Sequence, residues 1–290
     1  MVDLLVLGGL GVDIRARVPA LPLPAADSLT VPPVELRIGN TGAGVALAAH
    51  ALGLRVTLVD VLGADPAGDV VRAALARTSV RTVLADAPAG TRRSVNLVDP
   101  AGRRMSLYDP RPWSGPAPFG AAELAALVGD AAHVHVSIMD WVRDALPALR
   151  AGRAGGVPLS TDLHDWDGEN DYHRPFADAA DVVFVSDVRL GDRAGQVATG
   201  LAPRTVLVTG GAAGSTLHAP GTPPLRVPAT TPPGPVVDTN GAGDALAAGL
   251  IAARLRGASP PDAARYAARV AAAACTHDGM EYPPGLLPLD

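Results

Sequence analysis

The chain has 290 residues, of which 48% are apolar and 3% aromatic, and a formal net charge of −5. The apolar fraction is enough for a large hydrophobic core, while the acidic balance and the scarcity of aromatic side chains exclude a typical nucleic-acid-binding surface. All 24 residues counted as lysine or arginine are arginine, and the absence of lysine excludes a Walker A loop, lysine-dependent protein-kinase chemistry and Schiff-base catalysis.

Cysteine and histidine usage indicates the expected surroundings of the protein. The single Cys275 cannot form an internal disulfide, and seven scattered histidines do not make a structural zinc pattern. We therefore expect a reducing, cytoplasmic setting. Residues 1–10 lack the basic start of a signal peptide and read as a first strand. No apolar run reaches the roughly 18 residues of a membrane helix, so we expect no membrane partner.

Apolar runs typical of buried strands alternate along the chain with alanine-rich runs typical of helices. The predicted strands cover residues 3–7, 56–61, 133–138, 157–162, 182–185 and 205–208. The predicted helices cover residues 43–51, 67–76, 140–150, 242–255 and 261–275. Strand, helix and strand in series predict right-handed crossovers and an α/β fold with a doubly wound, mainly parallel sheet.

Two segments interrupt this alternation. Residues 14–37 are rich in proline, and residues 91–109 alternate between apolar and polar side chains around a turn at 99–102. We expect two strand pairs that project from one edge of the sheet. Because both segments lie between elements of the α/β core, we predict one domain over residues 1–290 with a small β-sheet lid formed by insertions 14–37 and 90–112. The proline-rich residues 220–235 are expected to form an extended loop.

Residues 236–245 carry the strongest chemical signal, because a strand end enters a glycine-rich turn that opens an alanine-rich helix. The N–H groups of Gly241, Ala242 and Gly243 at the start of this helix would form an anion hole. Asp244 is placed to accept a proton from a hydroxyl that attacks a phosphate. An aspartate that only caps the helix is the alternative for an isolated Gly-Ala-Gly-Asp.

Residues 238–244, Asp-Thr-Asn-Gly-Ala-Gly-Asp, resemble the C-terminal signature of the PfkB family of carbohydrate kinases, which have the ribokinase-like fold. The resemblance implies that Asp238 lies beside the nucleotide and a monovalent-cation region. It also implies that Gly241, Ala242 and Gly243 form the anion hole and that Asp244 is the catalytic base.

Two earlier segments resemble the parts of the family pattern that bind sugar. Residues 8–13 are similar to its first strand and turn, whose aspartate holds sugar hydroxyls, and residues 39–44 are similar to its N-terminal glycine-rich signature. The substrate-binding residues that the resemblance implies are Asp13, Gly39, Asn40, Gly44 and Asp244.

Two further segments match the family's order along the chain. Residues 63–68 resemble its Gly-x-Asp-x-x-Gly motif, and residues 209–214 resemble its nucleotide-phosphate loop. The nucleotide-binding residues that the resemblance implies are Ser186, Thr209, Gly211, Gly214, Asp238, Gly241 and Gly243.

The sequence departs from the family pattern at two places. Many members have an asparagine where this chain has Gly44, and we expect Asn40 to supply that amide from a shifted position. The family's Asn-x-x-Glu motif, which orders a metal-bound water and phosphate, is replaced by Ser-Asp-Val-Arg at residues 186–189. Residues 181–186 are similar to ketohexokinases, which also depart from this motif. Asp187 is a candidate metal contact, but the sequence assigns no metal ligand.

Several other polar residues have a functional and a structural reading. Three arginines lie in the expected lid, namely Arg92, Arg93 and Arg104. They could reach phosphates or an acidic substrate, but we expect each to be a solvated charge on a strand face. His133 and His135 alternate along one strand, and we expect buried or edge-facing histidines rather than metal ligands. Residues 162–167 include Asp162, His164, Asp165 and Asp167, a polar cluster that would contact substrate or Mg²⁺ at the ligand edge of the sheet if it is functional.

The resemblance as a whole implies ATP-dependent phosphorylation of a sugar hydroxyl, of the fructokinase, ribokinase or ketohexokinase kind. It implies ATP and Mg²⁺ as cofactors, with K⁺ as a further candidate, and a homodimer through the lid as a candidate assembly. A nucleoside kinase is the enzyme alternative, although only Tyr108 and Trp113 lie near the lid to stack on a base. A sugar-binding protein without turnover is a third reading, favoured by the departures and opposed by the intact turn before Asp244.

Overall fold

A computed structural model of the chain describes residues 1–100, 102–202 and 204–289. Its strands are β1 (Val2–Leu7), β2 (Gly11–Arg17), β3 (Glu35–Gly39), β4 (Val56–Leu62), β5 (Arg81–Asp86), β6 (Arg93–Val98), β7 (Arg104–Asp109), β8 (Ala131–Val136), β9 (Leu159–Asp162), β10 (Val182–Ser186), β11 (Thr205–Thr209), β12 (Ser215–His218) and β13 (Leu225–Val227). Its helices are α1 (Thr41–Ala51), α2 (Pro66–Leu75), α3 (Ala121–Gly129), α4 (Asp140–Gly152), α5 (Arg174–Ala179), α6 (Ala194–Gly200), α7 (Ala242–Leu255) and α8 (Pro260–Ala274). None of these described helices is both long and apolar enough to cross a membrane.

The larger sheet has nine strands in the order β13-β12-β11-β10-β9-β8-β1-β4-β5. The seven strands from β5 to β11 in this order pair in parallel, and β12 and β13 add antiparallel pairs at one edge. The chain order reverses beside β1, which has β4 on one side and β8 on the other. Ligands of open α/β sheets bind outside the carboxyl ends of strands at such a point. The predicted α/β class with a doubly wound, mainly parallel sheet is confirmed.

Helices cover both faces of this sheet, because its central strands, such as β1, carry apolar side chains on both faces. Its side chains alternate between the two faces, so Leu4 and Val6 enter one core while Leu5 and Leu7 enter the other. The first core also contains the inward faces of α1, α2, α7 and α8, and the second contains those of α3 to α6. A strand that is buried on both faces has a continuous apolar run in its sequence, and such a run predicted β1.

The smaller sheet has four strands in the order β3-β2-β6-β7. Its strands come from the two segments that interrupt the alternation, and β2 pairs antiparallel with β3 and parallel with β6. The turn predicted at residues 99–102 connects β6 to β7, where Gly102 N–H donates to the Asp99 carbonyl at 2.9 Å. Ala101 of that turn lies outside the described residues.

The two faces of the smaller sheet differ in chemistry. Asp13 and Arg15 of β2 point to one face, and their partners in β6 are Ser94 and Asn96. Asp13 and Arg15 contact residues 238–240 before α7, so this polar face looks toward the carboxyl ends of the larger sheet. The sheet therefore stands beside the edge at which ligands of α/β proteins bind.

The prediction of a loop over residues 220–235 is wrong in part. Residues 225–227 lie in the segment expected to be a loop, but they form β13 and pair antiparallel with β12. Three residues are too few to show an alternating pattern. The flanking Pro224 and Pro228 lack N–H groups and are typical of loops, so the sequence favoured a loop here.

Candidate active site

The turn that opens α7 requires glycine. Gly241 has a φ of 78°, and a Cβ there would lie 2.8 Å from the Cγ atom of Met280. Within the described residues, the N–H groups of Gly241 and Gly243 have no hydrogen-bond acceptor, whereas Ala242 donates to the Thr239 carbonyl at 3.3 Å. Free N–H groups at the start of a 14-residue helix carry the positive end of its dipole and attract an anion.

Asp244 lies in the first turn of α7 and is only 8% exposed. Burial raises the pKa of its carboxyl well above the ordinary value, and the nearby carboxylates of Asp162 and Asp13 raise it further, while Arg104 opposes them. Two carboxylates, from β2 and from the end of β9, thus act on the carboxylate of α7. A carboxylate with a raised pKa is a stronger base than an exposed aspartate and is suited to accept a proton from a hydroxyl.

Two glycines allow this close arrangement. A Cβ on Gly44 would lie 2.1 Å from Oδ2 of Asp244, and a Cβ on Gly39 would lie 2.3 Å from Cγ of Asp13. The backbone of α1 and the end of β3 therefore pass directly against the two carboxylates. The departure from the family pattern at Gly44 has a steric reason, because any side chain there would displace the carboxylate of Asp244.

Asn240 connects the turn to the smaller sheet, a role that was not predicted from the sequence. Its Nδ2 atom donates to Oδ2 of Asp13 at 3.1 Å, and its Oδ1 atom accepts from Nη1 of Arg104. Burial raises the pKa of Asp13, and the hydrogen bond from Asn240 and the charge of Arg104 partly offset this. Arg104 thus reaches toward the site, although the sequence analysis favoured a solvated charge on the strand face. The middle residue of a turn gives no local signal for a partner 227 positions away.

Asn40 occupies the N-cap position of α1 with a φ of 71°, in the left-handed region that favours glycine. Its side chain makes no cap hydrogen bond, and its Nδ2 atom is buried without a hydrogen-bond partner in the described structure. Its main-chain N–H donates to Asp13. A buried side-chain N–H without a protein partner is uncommon, so the Asn40 amide is left with hydrogen-bonding capacity that the described residues do not use.

The predicted nucleotide-binding residues lie at the carboxyl ends of β10 and β11. Ser186 is opposite Thr209 in the sheet, and Asp187 N–H donates to the Thr209 carbonyl at 2.9 Å. Gly211 has a φ of 54° and open space at its Cβ position, whereas a Cβ on Gly214 would lie 2.4 Å from the Val227 carbonyl oxygen. No hydrogen bond joins this loop to the turn at 238–244 among the described residues. The structure thus places the predicted residues in two groups, one around Asp244 and one at this loop.

The polar cluster after β9 divides into two parts. Asp162 acts on Asp244 and accepts a hydrogen bond from His164 N–H at 2.8 Å. Asp167 instead accepts from the N–H groups of Glu169 and Asn170 and stabilises its own turn. No group of three metal-ligating side chains is present in the described part of the chain.

Arg92 is not the solvated charge that the sequence predicts. It is 4% exposed, and its Nη1 atom donates to Oδ2 of the fully buried Asp60 at 2.8 Å. Asp60 also accepts from Leu10 N–H and from Nε1 of Trp141. Strand alternation cannot reveal this pairing, because Arg92 precedes β6 and its countercharge lies in β4. Its neighbour Arg93 pairs with Asp65 at 3.2 Å.

The two histidines of β8 are buried, as predicted. His133 Nε2 and His135 Nδ1 each lie 2.9 Å from the hydroxyl of Ser160, and burial lowers the pKa of both to about 3. Both are therefore neutral parts of the core beneath the site.

The fold and the glycine-rich turn of α7 define a sugar kinase of the ribokinase-like class. A family model of the pfkB family carbohydrate kinases matches residues 1–284, and the chain belongs to this family. The resemblance stated from the motifs is confirmed. The protein is a carbohydrate kinase, a phosphotransferase with an alcohol group as acceptor, and kinases of this family use ATP, generally with Mg²⁺.

Two relatives are more than 40% identical to this chain over nearly its whole length. The chain is 43% identical over 280 residues to the acarbose 7(IV)-phosphotransferase of an Actinoplanes strain, and the match covers 94% of this chain and 92% of that protein. The structure of the microbiome-derived acarbose kinase Mak1 is 42% identical, with a TM-score of 0.86 over 98% of this chain and 95% of that one. Arabidopsis thaliana ribokinase, complexed with ribose and ATP, shares the fold with a TM-score of 0.80 at 21% identity, over 99% and 96% of the two chains.

Proposed function

We propose that this kinase transfers the γ-phosphate of ATP to a hydroxyl of acarbose or a closely similar carbohydrate. The observation that carries the catalytic part is the buried Asp244 at the N-terminus of α7, beside Asp13 and the free N–H groups of the turn. The substrate is supported by identity above 40% to two acarbose kinases over nearly the whole chain.

The acceptor is held between the smaller sheet and the turn. The Asp13 carboxylate accepts hydrogen bonds from its hydroxyls, and the amides of Asn40 and Asn240 donate to their oxygens. Asp13 and Asn240 are suited to this because both are partly buried and already fixed by their neighbours: Gly39 packs on Asp13, and Asn240 is held between Asp13 and Arg104. The amide of Asn40 has no hydrogen-bond partner among the described residues and keeps its donors for the acceptor. Rigid placement lowers the entropic cost of orienting the reacting hydroxyl.

Asp244 removes the proton as the hydroxyl oxygen attacks. A bond forms between that oxygen and the γ-phosphorus, and the bond from the γ-phosphorus to the bridging oxygen breaks with its electron pair leaving on ADP. The proton moves to the Asp244 carboxylate, whose raised pKa makes it a stronger base than an ordinary aspartate. The N–H groups of Gly241 and Gly243 donate to the transferring phosphoryl group, with Ala242 shaping the turn.

The nucleotide lies along the ends of β10 and β11, in contact with Ser186, Thr209, Gly211, Gly214 and Asp238. The open backbone at Gly211 fits a phosphate, which approaches closely only where no side chain intervenes. The Asp187 carboxylate, 2.7 Å from the Cβ position of Gly210, is an oxygen ligand of the type that Mg²⁺ prefers and would hold the ion of Mg-ATP, which would neutralise charge on the phosphates.

We also propose that the smaller sheet is the lid of this site and that two copies of the chain dimerise through its outer face. Leu36, Ile14, Val95 and Leu107 form one row across all four strands on the face away from Asp13. Leu36 and Leu107 are about half exposed. Ile14 packs against the main core, so the exposed part of the row lies at its two ends, on the edge strands β3 and β7. Exposed apolar side chains on open edge strands are suited to pairing with an identical edge.

Light scattering on a sizing column tests the dimer. Leu107→Glu is expected to give a monomer, because it places a charge in the apolar row. Val188→Glu, at a residue that is 79% exposed on a different surface, is the control and is expected to leave the mass unchanged. A wild-type monomer, or a dimer that tolerates Leu107→Glu, contradicts this assembly.

ADP release from Mg-ATP across a panel of acceptors tests the substrate. The panel contains acarbose, maltotetraose, fructose, ribose and adenosine. We expect the highest kcat/KM with acarbose. A higher kcat/KM with fructose or ribose rejects the acarbose assignment, a higher value with adenosine supports the nucleoside-kinase alternative, and binding without ADP release supports a protein that has lost turnover.

A further inference from the structure

The residues around Asp238 do not fit the monovalent cation that the family resemblance places beside it. Oδ2 of Asp238 accepts from Nη1 of Arg15 at 2.5 Å and from Gly279 N–H at 3.4 Å. Its Oδ1 atom accepts from Asn240 N–H at 2.9 Å. A potassium ion needs oxygen atoms whose lone pairs are free to face it. Both carboxylate oxygens of Asp238 are already engaged by protein donors.

Asp278 is engaged in the same way. Its carboxylate accepts from Nη2 of Arg15 and, at 2.9 Å, from Nη2 of Arg37. Its main-chain carbonyl, the kind of oxygen that binds potassium, accepts from Nη1 of Arg37 at 2.6 Å. The oxygens near Asp238 therefore face two guanidinium groups.

Arg15 has the burial and charge expected of a fixed cation. Arg15 is only 9% exposed, and its guanidinium forms ion pairs with Asp238, with Asp278 and, at 3.2 Å, with Glu35. A planar guanidinium can donate to several carboxylates at once, which a point charge on a lysine cannot do in the same geometry. The arginine thus neutralises carboxylates that would otherwise repel one another.

We propose that Arg15 takes the place of a monovalent cation beside Asp238 and makes this kinase independent of K⁺. Arg15 is a positioning residue: it holds Asp238, and Asp238 holds Asn240 N–H in the turn that leads into α7. Because Arg15 belongs to β2, the same contact ties the smaller sheet to the anion hole. The inference rests on the proposed placement of the nucleotide beside Asp238.

The first test compares KCl, NaCl and tetramethylammonium chloride at equal ionic strength. For the wild type we expect kcat to change by less than about twofold between the salts, because Arg15 already supplies the fixed charge and screening is the same at equal ionic strength. We expect the rise in melting temperature caused by MgADP to be equal in all three. A K⁺-specific gain in kcat or in that rise overturns the proposal. The MgADP measurement needs no acceptor, so it decides the question even if the acarbose assignment fails.

The second test removes the guanidinium. Arg15→Met is expected to lower kcat by about tenfold to a hundredfold, as loss of an orienting partner does, and to weaken the MgADP shift. K⁺, but not tetramethylammonium, is expected to restore part of both, because the oxygens of Asp238 and Asp278 are then free.

The control is Arg17→Met, on the same strand, whose side chain is 47% exposed and lies 3.8 Å from Asp278. It is expected to match the wild type within about twofold. Arg15→Lys, which keeps the charge and is expected to lie between wild type and Arg15→Met, decides the matter if Arg15→Met does not fold. Wild-type kcat in Arg15→Met or Arg15→Lys overturns the proposal, and so does a defect in Arg15→Met that K⁺ does not relieve.

Discussion

Asp244 is an aspartate whose surroundings oppose its ionisation. Burial is the larger cause, and the carboxylates of Asp162 and Asp13 add to it. A base with a raised pKa loses its proton-accepting form as the pH falls, and does so at a higher pH than an ordinary aspartate. The electrostatics of this one residue therefore set the acidic limit of the proposed reaction.

The pH dependence of kcat/KM tests this view. We expect the wild-type acidic limb to lie above the usual range of an aspartate, and Asp162→Asn to move it to lower pH because one repelling charge is lost. Asp165→Asn, an exposed neighbour that does not act on Asp244, is the control and is expected to leave the limb in place. Identical limbs for the wild type and Asp162→Asn contradict the coupling.

The stability of Asp244→Asn gives a second readout. Because the folded-state pKa of Asp244 is raised, its contribution to stability is full below the unfolded pKa and is lost as the pH rises through the folded pKa. We expect the variant to melt above the wild type at pH 8 and the two curves to converge in acid. Each unit of raised pKa corresponds to about 1.4 kcal/mol, or a few degrees. A variant that melts lower at every pH contradicts the unfavourable burial of this charge.

At the scale of elements, the packing of α1 against α7 depends on Gly44. Alanine there would raise helix propensity but would place a methyl group 2.1 Å from the Asp244 carboxylate. We expect Gly44→Ala to lower kcat by about a hundredfold, as a small displacement of a catalytic group does. Gly195→Ala in α6, where nothing lies near the added methyl group, is the matched control and is expected to keep full activity. Wild-type kcat in Gly44→Ala shows that Asp244 need not stay in place.

The buried pair of Arg92 and Asp60 joins three elements, because Asp60 in β4 also holds the loop after β1 and the Trp141 side chain of α4. Removing one partner leaves a buried charge without compensation. We expect Arg92→Met to lower the free energy of unfolding in urea by about 3–5 kcal/mol. Arg265→Met, which breaks an exposed pair with Asp262, should cost less than about 1 kcal/mol. Equal losses contradict the structural importance of the buried pair.

The elements that the sequence predicted well are those with long, uniform patterns. The predicted helix at 242–255 has the observed bounds of α7, because its glycine-rich start and alanine-rich body leave few alternatives. Short elements did not stand out: β12, β13, α5 and α6 have four, three, six and seven residues and were not predicted. Over so few residues, tertiary pairing decides the structure and local pattern does not.

At the scale of the whole molecule, the site is built where the smaller sheet meets the carboxyl ends of the larger one. The family motifs predicted which turns would supply residues, and the structure brings Asp13, Gly39, Gly44 and Asp244 together. The contacts between the turns were not predictable in the same way. Asn240 meets Asp13, and Arg15 meets Asp238, across more than 220 residues of chain, and no local spacing encodes such pairs.

The absence of lysine has a consequence at this scale. At the proposed site, charge is balanced by arginines and main-chain N–H groups: Arg104 donates to Asn240 beside Asp13, and Arg15 donates to Asp238. A guanidinium can also donate several hydrogen bonds in one plane, which suits it to hold carboxylates and amides at once.

The most direct test follows the phosphate itself. The protein is incubated with Mg-ATP labelled at the γ-phosphate and with acarbose, and the labelled products are separated. We expect label on acarbose with the wild type, a rate lower by about two to four decades with Asp244→Asn, and equal acarbose binding by calorimetry for both proteins. Label recovered only as free phosphate, or transfer by Asp244→Asn at the wild-type rate, contradicts the assignment of this site as a carbohydrate kinase centre with Asp244 as its base.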